Sequence, residues 1–135
     1  MPSDFELHPR LAGDTIFVAD WPLSRVLLMN DARYRWLVLV PRVHAATELH
    51  DLSVVDRAQL IEEVARASAA LKTSTGAAKI NVGALGNIVP QLHVHIVARS
   101  IGDPAWPGPV WGHSPAKPYE ASELQNRIAA LRAHL

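Results

Sequence analysis

Two histidines and a glutamine alternate along a short apolar segment in the second half of the chain. They are Gln91, His93 and His95, in the run QLHVHIV. Side chains alternate between the faces of a strand, so a strand here would place these polar groups on one face, about 6.5–7 Å apart. The intervening and following residues are apolar and take the other face: Leu92, Val94 and Ile96. The polar spacing suits groups that contact different oxygens of one substrate.

The same alternation also fits a sheet face without a chemical role and a metal site. An exposed sheet face can carry polar residues that do no chemistry, and histidines two positions apart also occur by chance. Two such histidines could instead bind a metal ion. No Cys, Asp or Glu close to His93 and His95 completes a ligand set, so the sequence predicts no protein-bound metal.

A glycine-containing segment, NVGALGN, lies just upstream at residues 81–87. Glycines before a polar strand let the backbone approach a ligand closely and let N–H groups point at an anion. Asn81, Gly86 and Asn87 are therefore candidate substrate-binding residues. The alternative is a turn between two strands, with positive φ at Gly86 and Asn87.

Short apolar runs predict the strands that would position these residues. They cover 14–21, 24–30, 36–40, 79–85 and 91–99. The second and third runs are joined by five residues, DARYR, which favours an antiparallel hairpin. The cluster Arg33-Tyr34-Arg35 in this connection could attract phosphate, but we favour a solvated hairpin tip.

Two helices are predicted from capping residues and apolar stripes. The first opens at Ser53, with Asp56 in a capping-box arrangement, and ends at Gly76. The second covers 122–135, with Ser122 and Gln125 as its box. The two stripes are Leu60, Val64, Ala67 and Leu71, then Leu124, Ile128, Leu131 and Leu135. Helices on one side of a mainly antiparallel sheet make the fold class α+β.

Composition indicates one globular domain over 1–135, with a core at 14–100, a Pro- and Trp-rich loop at 101–119 and a C-terminal helix. The formal net charge is zero, so neither nucleic acid nor an anionic membrane is an expected partner. There is no cysteine, which excludes disulfides and thiolate catalysis.

The N-terminal ten residues lack an apolar signal core, and no run has the length of a membrane span. A cytoplasmic location is expected.

The pattern around the histidines resembles the signature of the histidine triad hydrolases and transferases. In that signature an asparagine and two glycines precede a polar residue and two alternating histidines; they are Asn81, Gly83, Gly86, Gln91, His93 and His95. Segments 24–30, 37–41 and 48–52 are similar to the family's second strand, third strand and strand-to-helix connection. The resemblance covers residues 14–100. The tail 103–112 resembles a bacterial subgroup close to the fragile histidine triad, or dinucleoside polyphosphate hydrolase, branch.

The resemblance implies a mechanism. His93 would attack the α-phosphorus of a nucleotide, and water would release the nucleotidyl group. A backbone carbonyl would hold the proton on the other nitrogen of His93, while His95 would stabilise the leaving group. Asn81 and backbone N–H groups near Asn87 would neutralise phosphoryl charge, and Asn30 would contact the ribose. No cofactor is implied beyond a divalent ion carried by the substrate.

The resemblance also implies a fold and an assembly. The family fold is a five-stranded antiparallel sheet with a long helix, paired into a homodimer. The apolar run 37–40 is a further reason to expect a dimer, since it needs cover.

Two departures from the family pattern bear on activity. Gln91 replaces the first histidine, although its backbone carbonyl survives the change, so we count it with the catalytic residues. Asn87-Ile88 stands where the family often has a hydroxyl residue. A nucleotide-binding module with little or no activity is therefore the alternative, and a metal-binding protein is another. Trp106 and Trp111 could stack on a base, but we favour a role in pinning the long loop.

Overall fold

The computed structural model describes residues 4–135 as a five-stranded antiparallel sheet with helices, which confirms the predicted α+β class. The first three residues of the N-terminal segment lie outside the described range. The strands are β1 (Thr15–Asp20), β2 (Ser24–Met29), β3 (Arg35–Pro41), β4 (Lys79–Gly83) and β5 (Val94–Arg99). Their order in the sheet is β1-β2-β3-β5-β4, so β4 and β5 pair as a hairpin on the far side of β3.

Strand β3 is buried on both faces, which explains its continuous apolar run WLVLV. Leu37 and Leu39 pack into one cluster with the helices, while Val38 and Val40 pack into a second cluster on the opposite face. The expectation that another subunit must cover this strand is wrong, because elements of the same chain already cover both of its faces.

The long helix α2 spans Val54–Thr75 and begins and ends as predicted. The Ser53 hydroxyl accepts a hydrogen bond from Asp56 N, 3.1 Å away. Gly76 adopts the left-handed conformation with φ of 68° and caps the C-terminus. The apolar stripe packs against the sheet, with Leu60, Ala67 and Leu71 fully buried.

The C-terminal helix α3 spans Ala121–His134, and a short helix α1, which no sequence pattern predicted, spans Pro9–Asp14. The predicted capping box of α3 is wrong: Glu120 precedes the helix and makes no side-chain cap. The stripe is confirmed, with Ile128 and Leu131 buried against β1 and α2. His8 caps α1, since its Nδ1 accepts a hydrogen bond from Arg10 N.

The face of the sheet that carries the two histidines is covered, so it is not the exposed sheet face that the alternative required. The N-terminal segment and the loop 101–119 lie over it, with Leu11, Ala105 and Val110 packed on Val38 and Val97. The helices cover the other face, where Leu92, Val94 and Ile96 are buried as predicted. Among residues 4–135, no helix is long and apolar enough to cross a membrane.

Strand β5 begins at Val94 and not at Gln91, the predicted start. The ladder with β3 starts at the Leu39–Val94 pair, and β4 ends at Gly83, opposite His95. Leu92 N instead donates to Ala46 O outside the sheet, and Pro90 has no N–H to contribute. His93 therefore lies at the point where the chain leaves the loop and enters the strand.

Candidate active site

His93 is held in a defined orientation by the backbone of its own segment. Its Nδ1 lies 2.7 Å from the carbonyl oxygen of Gln91. A carbonyl only accepts hydrogen bonds, so Nδ1 carries the proton and Nε2 of the neutral ring carries the lone pair. His93 is 7% exposed and lines two cavities, so its Nε2 is suited to act as a nucleophile in a site with little bulk water.

His95 has the opposite tautomer, set by a neighbour on β3. Trp36 Nε1–H donates to His95 Nδ1 at 3.0 Å. An indole N–H only donates, so His95 Nδ1 is unprotonated and Nε2 carries the hydrogen. Burial lowers the pKa of His95 to about 4, and the charge of the adjacent His93 contributes to the same shift. At neutral pH His95 therefore presents a neutral N–H donor beside His93, whose ring centroid is 4.8 Å away.

Trp111 closes the site from the long loop. Its ring contacts His95 and Trp36 edge-on, with centroids 5.6 and 6.3 Å away. Gly83 lies opposite His95 in the ladder, and a Cβ there would come within 3.1 Å of Trp111 Cη2. The absence of a side chain at Gly83 thus leaves room for the indole. Trp111 both pins the loop, as predicted, and lines the site.

Gln91 orients His93 through its backbone carbonyl, as expected, while its side chain binds the N-terminal segment. Its side-chain Oε1 accepts from His8 N and its Nε2 donates to Glu6 O, both at 2.8 Å. The amide thus clamps the N-terminal segment and is already engaged at both of its ends. The backbone carbonyl of Gln91 makes the hydrogen bond to His93. Gln91 lies before the first residue of β5, but it lines the same cavity as His93.

Two cavities meet at His93, and both are lined by Leu85 and Gly86. The first, of about 360 Å³, is mainly apolar and includes Trp36, Val89 and Trp111. The second, of about 270 Å³, is more polar and is bounded by the connection 47–50 that precedes α2. An apolar chamber and a polar chamber on either side of one imidazole can hold two different parts of a substrate.

The glycine segment forms the wall between these cavities. Gly86 has φ of 74°, a left-handed conformation that favours glycine, whereas Asn87 does not have the positive φ that the turn alternative required. Asn87 is exposed and lines the apolar cavity. Gly86 and Asn87 are therefore brought to the histidines, as predicted.

The two remaining predicted substrate contacts have structural partners elsewhere. Asn30 Oδ1 accepts from Tyr119 N at 2.9 Å, and Asn81 Oδ1 accepts from Arg99 Nη1 at 2.8 Å. Neither residue lines the cavities at His93. The Asn30 amide holds the segment that precedes α3 against the sheet, and the Asn81 amide joins β4 to Arg99 at the end of β5. The structure therefore does not support the expected contacts of Asn30 with ribose and Asn81 with phosphate.

The histidine site offers few ligands for a metal ion. Within residues 4–135 no group of three or more His, Cys, Asp or Glu side chains could hold one. The Nδ1 atoms of His93 and His95 are both hydrogen-bonded already. The prediction that the protein binds no metal is checked by elemental analysis of the purified protein.

Stability should depend on pH through His95. Burial lowers the pKa of His95 to about 4 in the folded chain. Between about pH 4 and 6.5, His95 is therefore protonated in the unfolded chain and neutral in the folded chain. The free energy of unfolding should therefore fall as pH falls through this window. In His95→Asn this fall should be shallower, measured by urea unfolding from pH 4.5 to 7. The exposed His44→Ala serves as the control, and equal slopes in wild type and His95→Asn would contradict the assignment.

Comparison with known proteins identifies the family. The profile of the HIT domain matches residues 11–101, about two thirds of the chain. A histidine triad protein from Bradyrhizobium japonicum is 53% identical, with a TM-score of 0.94 and 98% of each chain covered. One from Sinorhizobium meliloti 1021 is 46% identical, with a TM-score of 0.95 and 98% of each chain covered. A third, from Marinobacter aquaeolei VT8, is 44% identical, with a TM-score of 0.95 and 97% and 96% covered.

A search of curated proteins found no match. The three solved relatives are described only as histidine triad proteins, so the expected kinship with the fragile branch stays a prediction. Family membership supports a nucleotide-binding or hydrolase-type function. The matched domain contains the Asn81–His95 signature, His93 at the junction of the two cavities, and the sheet that positions it. The chain belongs to the histidine triad family.

Proposed function

We propose that this protein is a nucleotide hydrolase or nucleotidyl transferase that forms a nucleotidyl-histidine at His93. The observation that carries the proposal is the pair of opposite tautomers. His93 Nε2 has a lone pair, and its neighbour His95 has an Nε2–H. A nucleophile and a hydrogen-bond donor side by side are what attack on a phosphate ester requires.

The chemical step follows from these two nitrogens. His93 Nε2 forms a bond to the α-phosphorus while the bond from phosphorus to the leaving-group oxygen breaks. The positive charge on the substituted imidazole is shared with Nδ1–H, which Gln91 O holds. Water then forms the new P–O bond, the P–N electrons return to Nε2, and the proton of water goes to solvent. A transferase would use another acceptor in place of water.

The state of His95 favours a particular class of leaving group. With a pKa of about 4, His95 is neutral at physiological pH, and losing its remaining proton would produce an imidazolate. It can therefore donate a hydrogen bond but not a proton. Leaving groups that depart as stable anions need no proton, whereas amines do. This supports phosphoanhydride substrates, and among them dinucleoside polyphosphates.

The two cavities support a placement for the substrate. We place the nucleobase in the apolar cavity, where the indole rings of Trp36 and Trp111 offer aromatic surface. The leaving group would occupy the polar cavity beside residues 47–50. The α-phosphate would then lie at His93, next to backbone N–H groups of the segment that contains Gly86 and Asn87.

A matched substrate pair tests this function. Diadenosine polyphosphate and an adenosine phosphoramidate share the adenylyl group and differ in the leaving atom. We expect adenosine monophosphate from both, but much faster release from the anhydride. Product identification by chromatography and mass spectrometry measures both reactions. Preference for the phosphoramidate would contradict the assigned role of His95.

A binding module with little activity is the second candidate. The engagement of Gln91 with Glu6 and His8 is the observation that favours it, because the side-chain amide at the first triad position is already hydrogen-bonded at both ends. A nucleotidyl adduct trapped on His93 by acid quenching would exclude this candidate. Nucleotide binding without adduct or product would establish it.

We also propose that the chain forms a symmetric homodimer through the free edge of β4. Within residues 4–135, β4 pairs only with β5, and Val82 on β4 and Ile61 on α2 are exposed apolar residues. Antiparallel pairing of two β4 strands would continue the sheet. Light scattering should give the mass of two chains for wild type and of one for Val82→Asp. The control Ile101→Asp changes an exposed residue in a turn after β5 and should leave the dimer intact. A monomeric wild type at micromolar concentration would contradict the proposal.

A further inference from the structure

A third cavity, of about 400 Å³, lies on the helix side of the sheet. It is bounded by the start of β3, the C-terminal end of α2, the C-terminal half of α3 and the turn after β5. Ala98 of β5 lines it, and Ala98 points to the face opposite His93 and His95 because side chains alternate along a strand. None of its lining residues lines the two cavities at His93. The chemistry at His93 therefore makes no use of it.

Three arginines line this cavity, and two of them have no acidic partner. Arg33 forms an ion pair with Asp31 at 2.9 Å, so its charge is compensated. Among residues 4–135, neither Arg35 nor Arg127 lies within 4.0 Å of a carboxylate. The cavity's own carboxylate, Asp103, is held by Arg99. The prediction of a solvated hairpin tip at Arg33-Tyr34-Arg35 is wrong, because Tyr34 is buried.

The two uncompensated guanidinium groups lie close together in a partly desolvated place. Burial lowers the pKa of Arg35, and the charge of Arg127 lowers it further. The buried phenol of Tyr119 interacts with both groups but brings no negative charge, since burial raises its pKa. Arg127 Nε is buried without a hydrogen-bond partner among the described residues. Two like charges and an unpaired donor are unfavourable in a protein unless an anion binds there.

The hydroxyl groups that line the cavity carry no charge and so cannot balance the two guanidinium groups, and two of them already have partners. Ser74 and Thr75 both donate to Leu71 O at the end of α2. Glu123 acts on Arg35 only at longer range and is exposed. Recognition would therefore depend on the guanidinium forks, which match the oxygens of phosphate. A single carboxylate would neutralise only one of the two guanidinium charges. A phosphate monoester carries up to two negative charges and could neutralise both.

We propose that this cavity is a second ligand site, which binds the phosphate group of a small phosphorylated molecule between Arg35 and Arg127. The cavity is larger than a phosphate ion alone requires, and it leaves space for an organic stem beside Ala98 and Leu131. This proposal does not depend on the reaction at His93, because the cavity shares no lining residue with the two cavities there.

Binding of inorganic phosphate and of glycerol 3-phosphate tests the proposal, with sodium chloride used to keep ionic strength constant. Calorimetric titration of the full-length protein should show binding of both probes. Arg35→Gln and Arg127→Gln should each weaken it about tenfold or more, because each removes charge-assisted hydrogen bonds. Arg132→Gln is the matched control, since Arg132 is also on α3 but its Nε donates to Val18 O outside the cavity.

His93→Ala distinguishes this cavity from the histidine site. Phosphate affinity should be unchanged in that variant and reduced in Arg127→Gln. The proposal is overturned if the wild type binds neither probe at millimolar concentration. It is equally overturned if Arg132→Gln weakens binding as much as Arg127→Gln does, or if binding is lost in His93→Ala and kept in both cavity variants.

Discussion

Turnover in His93→Ala is expected to fall by roughly four or more orders of magnitude, because deletion of a nucleophile removes the covalent route entirely. Nucleotide binding should persist, since both cavities remain apart from one imidazole. Acid-quenched wild-type samples should carry a nucleotidyl group on His93, detected by peptide mass spectrometry. Unimpaired turnover in the variant, or an adduct found only on another residue, would contradict the proposed mechanism.

The same substitution should also affect stability more than a surface change does. His93 is 7% exposed, so its removal leaves space within the covered face of the sheet. We expect a cost of about 1–3 kcal/mol in the free energy of unfolding, which is typical of a buried side chain. Activity must therefore be compared at a temperature where thermal unfolding shows the variant folded. His44→Ala, at an exposed position, is the control and should change neither property.

Loss of the buried Arg99 should destabilise the protein strongly, by about 3–5 kcal/mol for Arg99→Met, because it leaves a buried carboxylate unpaired. Arg99 holds Asp103 through two hydrogen bonds of 2.8 and 2.9 Å and donates to Asn81 Oδ1 at 2.8 Å. Its side chain and that of Asp103 are 2% and 8% exposed. Asp103 also accepts from Trp106 N, so the loop that carries Trp111 depends on this pair.

Urea unfolding of Arg99→Met and of a matched variant checks this expectation. Arg25→Met breaks the pair with Asp20, also 2.9 Å long, but these side chains are 30% and 42% exposed. Its cost should be about 1 kcal/mol or less. Arg99 holds the pKa of Asp103 below its ordinary value, so the stabilisation is present at neutral pH and is lost as pH falls through the lowered pKa. If the two variants lost similar amounts of unfolding free energy, burial would not explain the contribution of Arg99 to stability.

Much of the fold could be predicted from local pattern. Short apolar runs and turn residues correctly predict the hairpin of β2 and β3 and the antiparallel character of the sheet. The start of α2 at Ser53 and its end at Gly76 follow from capping chemistry, which acts within four residues. Boundaries that depend on partners could not be predicted in this way. The start of β5 is set by its register with β3 and β4, and the capping box predicted for α3 does not form.

The alternation of polar and apolar side chains did not reveal the environment of the candidate site. It predicts which face His93 and His95 occupy, but not that loop 101–119 covers that face. Gln91 belongs to the same alternation, yet it binds Glu6 and His8, more than eighty residues away. Nor could Glu63 be identified as a buried residue, although its carboxylate accepts from Leu23 N and Ser24 N. These contacts join segments that are far apart in the chain.

The sequence by itself determined the nucleophile candidate, because His93 and its signature lie within fifteen residues of one another. The carbonyl of Gln91 that sets the His93 tautomer is two residues away and is equally local. Only the tertiary structure decided the state of His95. Its proton position is set by Trp36, which lies 59 residues earlier in the chain, and its low pKa is set by burial under Trp111 and the neighbouring strands. A tautomer and a pKa depend on which groups surround an imidazole in space, and packing between distant segments determines those groups.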